Sequence, residues 1–316
     1  MWWLLGGAAF LLLAALLTAY ICFYLVFYAS KKSRIEKEEY PIPEGHCYDP
    51  YRPQMIEWMK GARAYPYREV EITSFDGLRL RGRYYELEAG APIELLLHGY
   101  RGTSERDLSG GVFRCFDLGH NVLIVDHRAS GRSEGKIITF GVLESRDALA
   151  WIDYILREID PQARILLGGV SMGAATVMIT AGEDLPPNVL GAIADCGYTT
   201  AKEIICKVID EMRLPSRLLY PFVRLGGRLF GGFDVEEKTP IAGVRNARVP
   251  VIFFHGDNDK FVPMAMSHEN YAACTSEKRL VITPGAGHGL CYPADRDGYI
   301  DAIRELFPQL CKEKTK

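Results

Sequence analysis

The sequence predicts an α/β fold with a mostly parallel, eight-stranded sheet and helices on both faces. Short apolar runs typical of buried strands alternate with segments whose apolar residues recur at helical spacing. Glycine-rich turns follow several of the apolar runs, and the turn at 169–173 carries the pattern G-x-S-x-G. Folds of this class bind ligands at the carboxyl ends of their strands, so these turns mark the candidate site.

The predicted elements follow one another along the chain. Two strands flank Asp76-Gly77, a dipeptide that signals a hairpin, and six further strands come later. The strands are predicted at 69–75, 78–87, 93–97, 121–125, 164–168, 190–194, 249–254 and 280–283. The clearest helix is predicted at 143–159. We therefore expect one α/β domain over residues 68–316.

The G-x-S-x-G turn supplies a candidate nucleophile. It joins an apolar strand to a helical segment, and a connection of this kind exposes a serine hydroxyl above the edge of a sheet. The flanking glycines allow strand and helix to approach closely. Ser171 is thus the candidate nucleophile, and the N–H of Met172 is a candidate donor to a developing oxyanion.

Three other glycine-rich turns supply candidate partners. The turn His98–Gly102 follows a strand and predicts a second oxyanion donor at the N–H of Tyr100. The strand at 249–254 leads to the acidic residues Asp257 and Asp259, which are candidates for a catalytic acid. The last strand leads to His288 on a glycine-flanked loop. Nucleophile, acid and histidine follow in that order, as in one group of hydrolases with a catalytic triad.

In these motifs the chain resembles α/β-hydrolases from about residue 68 to the C-terminus. The motifs HGYRG, GVSMG, HGDNDKFVP and GAGHG occur in the order of that family, and DHRASGRSEG resembles the loop after its fourth strand. The chain is most similar to the branch of monoacylglycerol-lipase-like and serine-aminopeptidase-like enzymes, and within it to bacterial members with a membrane anchor. The register of HGDNDKFVP favours Asp259 as the acid, with Asp257 and Asp195 as rivals.

The resemblance implies a serine hydrolase with a Ser-His-Asp triad that works through an acyl-enzyme. Carboxylic esters, including lipid-derived ones, are the first substrate class that it implies. Peptides or amides are the alternative, because serine-aminopeptidase-like relatives share the motifs. A catalytically silent membrane scaffold is a third interpretation, which the presence of all three triad residue types disfavours.

A long insertion separates the sixth and seventh predicted strands. About fifty residues lie there, where connections usually have 2–6. In α/β-hydrolases an insertion at this point forms a cap over the active site, so we predict a helical cap at 197–247. Ordinary helices packed on the sheet are the alternative. The apolar residues Leu218, Phe222 and Leu225 either line an acyl pocket or pack inward.

Residues 1–30 form a separate apolar segment. No charged residue occurs from Trp2 to Ser30, which is longer than the ~20 residues that span a bilayer as a helix. The segment lacks the basic start and clear cleavage site of a signal peptide, so we predict a transmembrane helix, with a cleaved signal peptide as the rival. Since every triad candidate lies after residue 67, the chain without residues 1–30 is predicted to keep activity on small esters.

The flanks of this segment predict its orientation. Basic residues follow it at Lys31, Lys32, Arg34 and Lys37. The positive-inside rule then places the catalytic domain in the cytoplasm, as a single-pass membrane protein. Residues 31–67, rich in proline and charge, are predicted to be a linker with a short helix at 54–64.

Composition limits the remaining function classes. The 316 residues carry a net charge of −3, and nothing in the sequence points to a nucleic acid partner, which would require a basic face. The cysteines and histidines show no spacing typical of metal ligands, so neither a metal nor another cofactor is predicted. His98 and His255 are expected to support their turns, whereas His127 is a candidate for contact with substrate.

Overall fold

The computed structural model describes residues 2–30 and 38–311, and its centre is an eight-stranded sheet. The strands are β1 Arg68–Thr73, β2 Arg79–Tyr85, β3 Ile93–Leu97, β4 Asn121–Val125, β5 Ile165–Val170, β6 Val189–Asp195, β7 Val251–Gly256 and β8 Lys278–Thr283. Their order in the sheet is β1-β2-β4-β3-β5-β6-β7-β8. The pairs β1–β2 and β2–β4 are antiparallel, and every other pair is parallel. The predicted fold class is confirmed.

The helices surround this sheet. They are α1 Trp2–Val26, α2 Arg52–Ala64, α3 Ser104–Leu118, α4 Val142–Tyr154, α5 Met172–Ala181, α6 Ala201–Glu211, α7 Ser216–Gly226, α8 Pro240–Asn246, α9 Met264–Ala273, α10 Cys291–Ala294 and α11 Arg296–Leu306. A 3₁₀ turn at His46–Tyr51 precedes α2, and the last turn of α4 continues as a π-helical turn at Ile155–Ile159. The helix predicted at 54–64 thus begins two residues earlier than expected.

Burial explains why the central strands appear in the sequence as continuous apolar runs. Every residue of β3 and β4 is buried, because helices cover both faces of the sheet there. Strand β1 lies at the edge and alternates between exposed and buried positions from Glu69 to Thr73. One face of the sheet packs on a cluster around Trp151, and the other packs on Phe254 and Tyr299, whose rings stack. Because the central strands are parallel, their carboxyl ends all lie at one edge of the sheet.

The insertion between β6 and β7 is helical, as predicted, and contains α6, α7 and α8. A π-helical turn, Gly227–Gly231, continues α7. Tyr220 and Val223 of α7 pack inward, into a cluster that also contains Met172. Leu218, by contrast, is 68% exposed, and Leu225 is also exposed. The exposure of Leu218 and Leu225 indicates neither an acyl pocket nor inward packing, which were the two predictions. The apolar residues of α7 lie on more than one face of the helix, and these two lie on an exposed face.

Helix α1 is long and apolar enough to cross a membrane from Leu5 to Val26. The part before Ala19 has no buried side chain among those that the structure describes, whereas the later part packs against α7. The basic flank on which the predicted orientation depends, Lys31 to Lys37, lies outside the described residues. The structure therefore shows a candidate membrane span whose C-terminal end packs against helix α7 of the α/β domain.

Candidate active site

The turn between β5 and α5 holds Ser171 in an unusual backbone conformation. Its φ is 57° and its ψ is −116°, outside the favoured regions for a non-glycine residue. The Ser171 N–H donates to the Asp195 carbonyl (2.8 Å), which fixes the turn to β6. A Cβ on Gly173 would lie 2.0 Å from the Leu97 carbonyl oxygen, so only glycine allows α5 to approach β3 this closely. The serine consequently stands at the carboxyl edge of the sheet.

A chain of hydrogen bonds joins the three candidate triad residues. His288 Nε2 lies 2.9 Å from Ser171 Oγ, and His288 Nδ1 lies 2.7 Å from Asp259 Oδ2. The other oxygen of Asp259 accepts the N–H groups of Phe261 (2.8 Å) and Val262 (2.9 Å). These bonds orient the carboxylate toward the histidine. The arrangement can remove a proton from a hydroxyl and stabilise the resulting imidazolium.

The electrostatics of Asp259 suit a permanently charged acid. Burial alone would raise the pKa of its carboxyl, but the hydrogen bond and charge of His288 and the Val262 N–H hold that pKa below its usual value. Asp259 therefore stays ionised at neutral pH although it is only 8% exposed.

The two rival acids occupy other positions. Asp257 Oδ1 accepts the N–H of Gly285 (2.6 Å) and so joins two loops. The Asp195 carboxyl is buried, burial raises its pKa to about 6, and its Oδ1 has no hydrogen-bond partner in the described chain. The structure thus brings Asp259, and neither rival, into hydrogen-bond contact with His288.

The predicted oxyanion donors lie on two sides of the serine. Met172 is the first residue of α5, whose N–H has no intrahelical acceptor. Tyr100 lies on the turn His98–Gly102, called the oxyanion turn below, and a Cβ on Gly99 would lie 3.6 Å from Ser171 Cβ. The Gly99 N–H donates to Asp107 Oδ2 (3.1 Å), so Asp107 helps to hold this turn. No motif in the sequence indicated that role.

Buried histidines support the turns, as expected for His98 and His255. His98 Nδ1 lies 2.8 Å from the Gly99 carbonyl and its Nε2 accepts the His127 N–H (3.0 Å). His255 bonds Ser267 and the Val262 carbonyl. Burial lowers the pKa of all three histidines, so they remain neutral scaffold groups. His127, a candidate for substrate contact, is only 3% exposed and packs against the His98 ring.

A cavity of about 400 Å³ opens above Ser171 and His288. One wall comes from the segment before β1, through Pro43, Cys47 and Met55, instead of from the helical insertion. The Tyr48 hydroxyl donates to the His288 carbonyl (3.0 Å) and fixes this segment beside the histidine loop. The stretch predicted as a linker therefore shapes the site, which its proline-rich composition did not indicate.

One group of potential metal ligands occurs in the described residues, at Cys196, Asp259 and His288. Burial and the Asp195 charge raise the pKa of the Cys196 thiol well above its usual value, which disfavours the thiolate that metals bind. Asp259 and His288 already bond one another. The donor set fits a hydrogen-bonded pair better than a metal site.

Comparison with known proteins agrees with the fold described above. A family model described as alpha/beta hydrolase fold matches residues 95–219, which include the oxyanion turn and Ser171. The esterase Pf2001 of Pyrococcus furiosus superposes with a TM-score of 0.64 at 21% identity, over 80% of this chain and 96% of its own. The chain has the α/β-hydrolase fold.

Two sequence relatives extend the comparison. Protein YqkD of Bacillus subtilis is 30% identical over 195 residues, which are 61% of this chain and 64% of YqkD. The lysophosphatidylserine lipase ABHD12 of Danio rerio is 25% identical over 213 residues, which are 62% of this chain and 51% of that lipase. The matched region spans less than two thirds of each relative's own length.

Proposed function

We propose that this α/β-hydrolase is a serine hydrolase that cleaves carboxylic esters through an acyl-enzyme. The observation that carries the proposal is the bonded series Ser171–His288–Asp259 at the floor of an open cavity. In this proposal Ser171 is the nucleophile, His288 is the general base and acid, and Asp259 orients the imidazole.

The reaction follows from these positions. His288 Nε2 takes the Ser171 proton as Oγ attacks the ester carbonyl, and the N–H groups of Tyr100 and Met172 face the oxyanion. His288 then returns the proton to the leaving alcohol, which departs and leaves an acyl-serine. A water molecule repeats the sequence with His288 as base and releases the acid. Asp259 keeps the Nδ1 proton in place and stabilises the imidazolium throughout.

The substrate class rests on the cavity and on the relatives. Apolar surfaces of Met55, Val170 and Phe261 line the cavity, and the charged groups of Arg106 and Lys260 also contribute to it. Such a lining suits an acyl or aromatic group joined to a polar or anionic head. Similar proteins include an esterase, a lysophosphatidylserine lipase and a thiohydrolase, by their names. These names support esters as the first substrate class, and a structural neighbour named as the acylaminoacyl peptidase of Pyrococcus horikoshii keeps amides as the alternative.

Labelling with a fluorophosphonate probe tests the proposal. We expect the wild-type protein to be labelled and Ser171→Ala to be unlabelled, because the probe reacts only with an activated serine. A chain-length series of p-nitrophenyl esters, run beside aminoacyl amides, then identifies the preferred bond. Faster amide cleavage would favour the peptidase alternative, and absence of labelling in folded wild-type protein would favour a silent scaffold.

We also propose that α1 anchors the enzyme in a membrane with the catalytic domain on the cytoplasmic side. The length and apolar surface of α1 support the span, and the basic residues at 31–37 support the orientation. Protease added outside intact cells is expected to leave the catalytic domain uncut, with permeabilised cells as the control. Digestion in intact cells would reverse the orientation, and a mature N-terminus near residue 30 would replace the anchor with a signal peptide.

A further inference from the structure

The end of α1 is built into the catalytic domain. Ala19 and Phe23 of α1, and Phe27 directly after its last residue, recur every four residues, and all three are buried. A Cβ on Gly226 of α7 would lie 2.4 Å from the Ala19 carbonyl oxygen, so a glycine permits the close contact of the two helices. A segment that is cleaved and lost contributes no such side chains to a core, which supports retention of α1 in the mature protein.

The chain beyond α1 continues this attachment. The Ala29 N–H donates to the Lys136 carbonyl (2.8 Å), and the Ile138 N–H donates to the Phe27 carbonyl (2.8 Å). The Phe27 ring packs edge-on against Phe140, with ring centres 5.9 Å apart. Phe140 in turn packs on the ring of Tyr100, 5.0 Å away. An apolar path therefore leads from α1 to the oxyanion turn.

Direct hydrogen bonds also join the C-terminal end of α1 to the oxyanion turn. The Tyr100 hydroxyl donates to the Val26 carbonyl (2.7 Å), and Arg101 Nη2 donates to the Leu25 carbonyl (2.8 Å). The last carbonyls of a helix lack intrahelical partners, and a cation is favourable near this end of the helix dipole. Arg101 adopts a φ of 52°, a conformation that needs support from its surroundings. Two neighbouring residues of the oxyanion turn thus cap α1.

We propose that the C-terminal end of α1 is a positioning element of the active site, which holds the oxyanion turn through Tyr100 and Arg101. The inference rests on the proposed function, because it concerns the donor at the Tyr100 N–H. The side chain and the N–H of Tyr100 share one Cα, so fixing the hydroxyl restricts the direction of the N–H. On this proposal, deletion of residues 1–30 lowers kcat on small esters, contrary to the expectation from sequence that the segment is dispensable for hydrolysis.

Removal of one hydroxyl tests the coupling in the full-length protein. Tyr100→Phe keeps the ring and the backbone donor but loses the bond to Val26. We expect kcat on p-nitrophenyl acetate to fall about five- to tenfold, well short of the ~10²–10³-fold loss when an oxyanion donor itself is removed. KM is expected to stay within about twofold, because the hydroxyl bonds α1 instead of substrate. Tyr220→Phe, which loses a hydroxyl bond to Glu236, is the matched control and should retain wild-type kcat.

A second variant displaces the helix. Gly226→Val places a side chain against Ala19 and is expected to lower kcat at least as much as Tyr100→Phe, whereas Gly7→Val, with no neighbour within 4 Å, should not. The kcat of the double variant Tyr100→Phe/Gly226→Val should match that of Gly226→Val within about twofold, because both changes disrupt the same coupling between α1 and the oxyanion turn. All rates are expressed per active site titrated with fluorophosphonate, in one detergent, so that unfolded protein does not count.

The outcomes separate this inference from the proposed function. If the wild-type protein neither labels nor hydrolyses, the proposed function fails before any variant is compared. If the wild-type protein is active and Tyr100→Phe has the same kcat as Tyr220→Phe, the positioning role is wrong. Multiplicative losses in the double variant would also contradict it, because independent effects do not share a coupling.

Discussion

Replacing Asp259 with asparagine is expected to lower kcat on a p-nitrophenyl ester by on the order of 10⁴-fold, with His288→Ala at least ~10³-fold below wild type. The side-chain amide introduced by Asp259→Asn is uncharged, so it does not stabilise the imidazolium. It also fails to select the His288 tautomer that leaves Nε2 free to accept the serine proton. Steady-state kinetics on site-titrated protein measure the effect, and the loss should fall mainly on kcat.

The rival acids provide the controls for this experiment. Asp257→Asn is expected to stay within about threefold of wild-type kcat, because Asp257 bonds a loop N–H and does not contact the histidine. Asp195→Asn tests the buried rival. If Asp259→Asn keeps near-normal kcat while either of the other variants is inactive, the assignment of the acid is wrong.

The largest expected effect on stability concerns Glu94, which is fully buried in β3. Its carboxylate pairs with Arg114 Nη2 (2.6 Å) and with His120 Nδ1 (2.8 Å). Glu94→Gln leaves the buried Arg114 charge without its partner, and such a loss costs about 3–5 kcal/mol of unfolding free energy. Chemical denaturation measures it. Asp153→Asn, which breaks an exposed ion pair with Arg157, should cost about 0.5 kcal/mol or less.

The pKa of the Glu94 carboxyl predicts how the difference in unfolding free energy between wild type and Glu94→Gln depends on pH. Burial alone would raise the pKa of Glu94, but Arg114 and His120 together lower it to about 2. A lowered pKa in the folded state stabilises the protein fully above the usual value of 4.5, and this contribution is lost as pH falls toward 2. The difference in unfolding free energy between wild type and Glu94→Gln should therefore shrink as the pH falls below 4.5. A gap that is constant down to pH ~3 would contradict this account.

The features that could be predicted well are those that depend on local patterns. Strand and helix periodicities, and the tight turn at Ser171, depend on neighbours within a few residues, so one chain is enough to predict them. The rank of Asp259 above Asp257 came from motif register and agrees with the observed contact to His288.

Contacts between distant segments were not predictable in the same way. Tyr48 and His288 are 240 positions apart, and no periodic pattern connects them. The hydrogen bond between Tyr100 and Val26 likewise joins a turn to a helix whose sequence does not indicate a contact with the rest of the protein. The apolar face of Leu218 and Leu225 was visible as a stripe, but amphipathic spacing does not say which neighbour a stripe meets.

The docking of α1 also sets an order of events during synthesis. Phe27 emerges first, yet the rings that enclose it belong to Phe140 and Phe233, the latter about 200 residues later. At ~5–20 residues per second, the ribosome needs about 10–40 s to supply that partner. Until then Phe140, but not Phe233, is available to cover the aromatic face of α1. The packing of α1 beside Tyr100 is consequently completed only late in translation, after most of the chain is made.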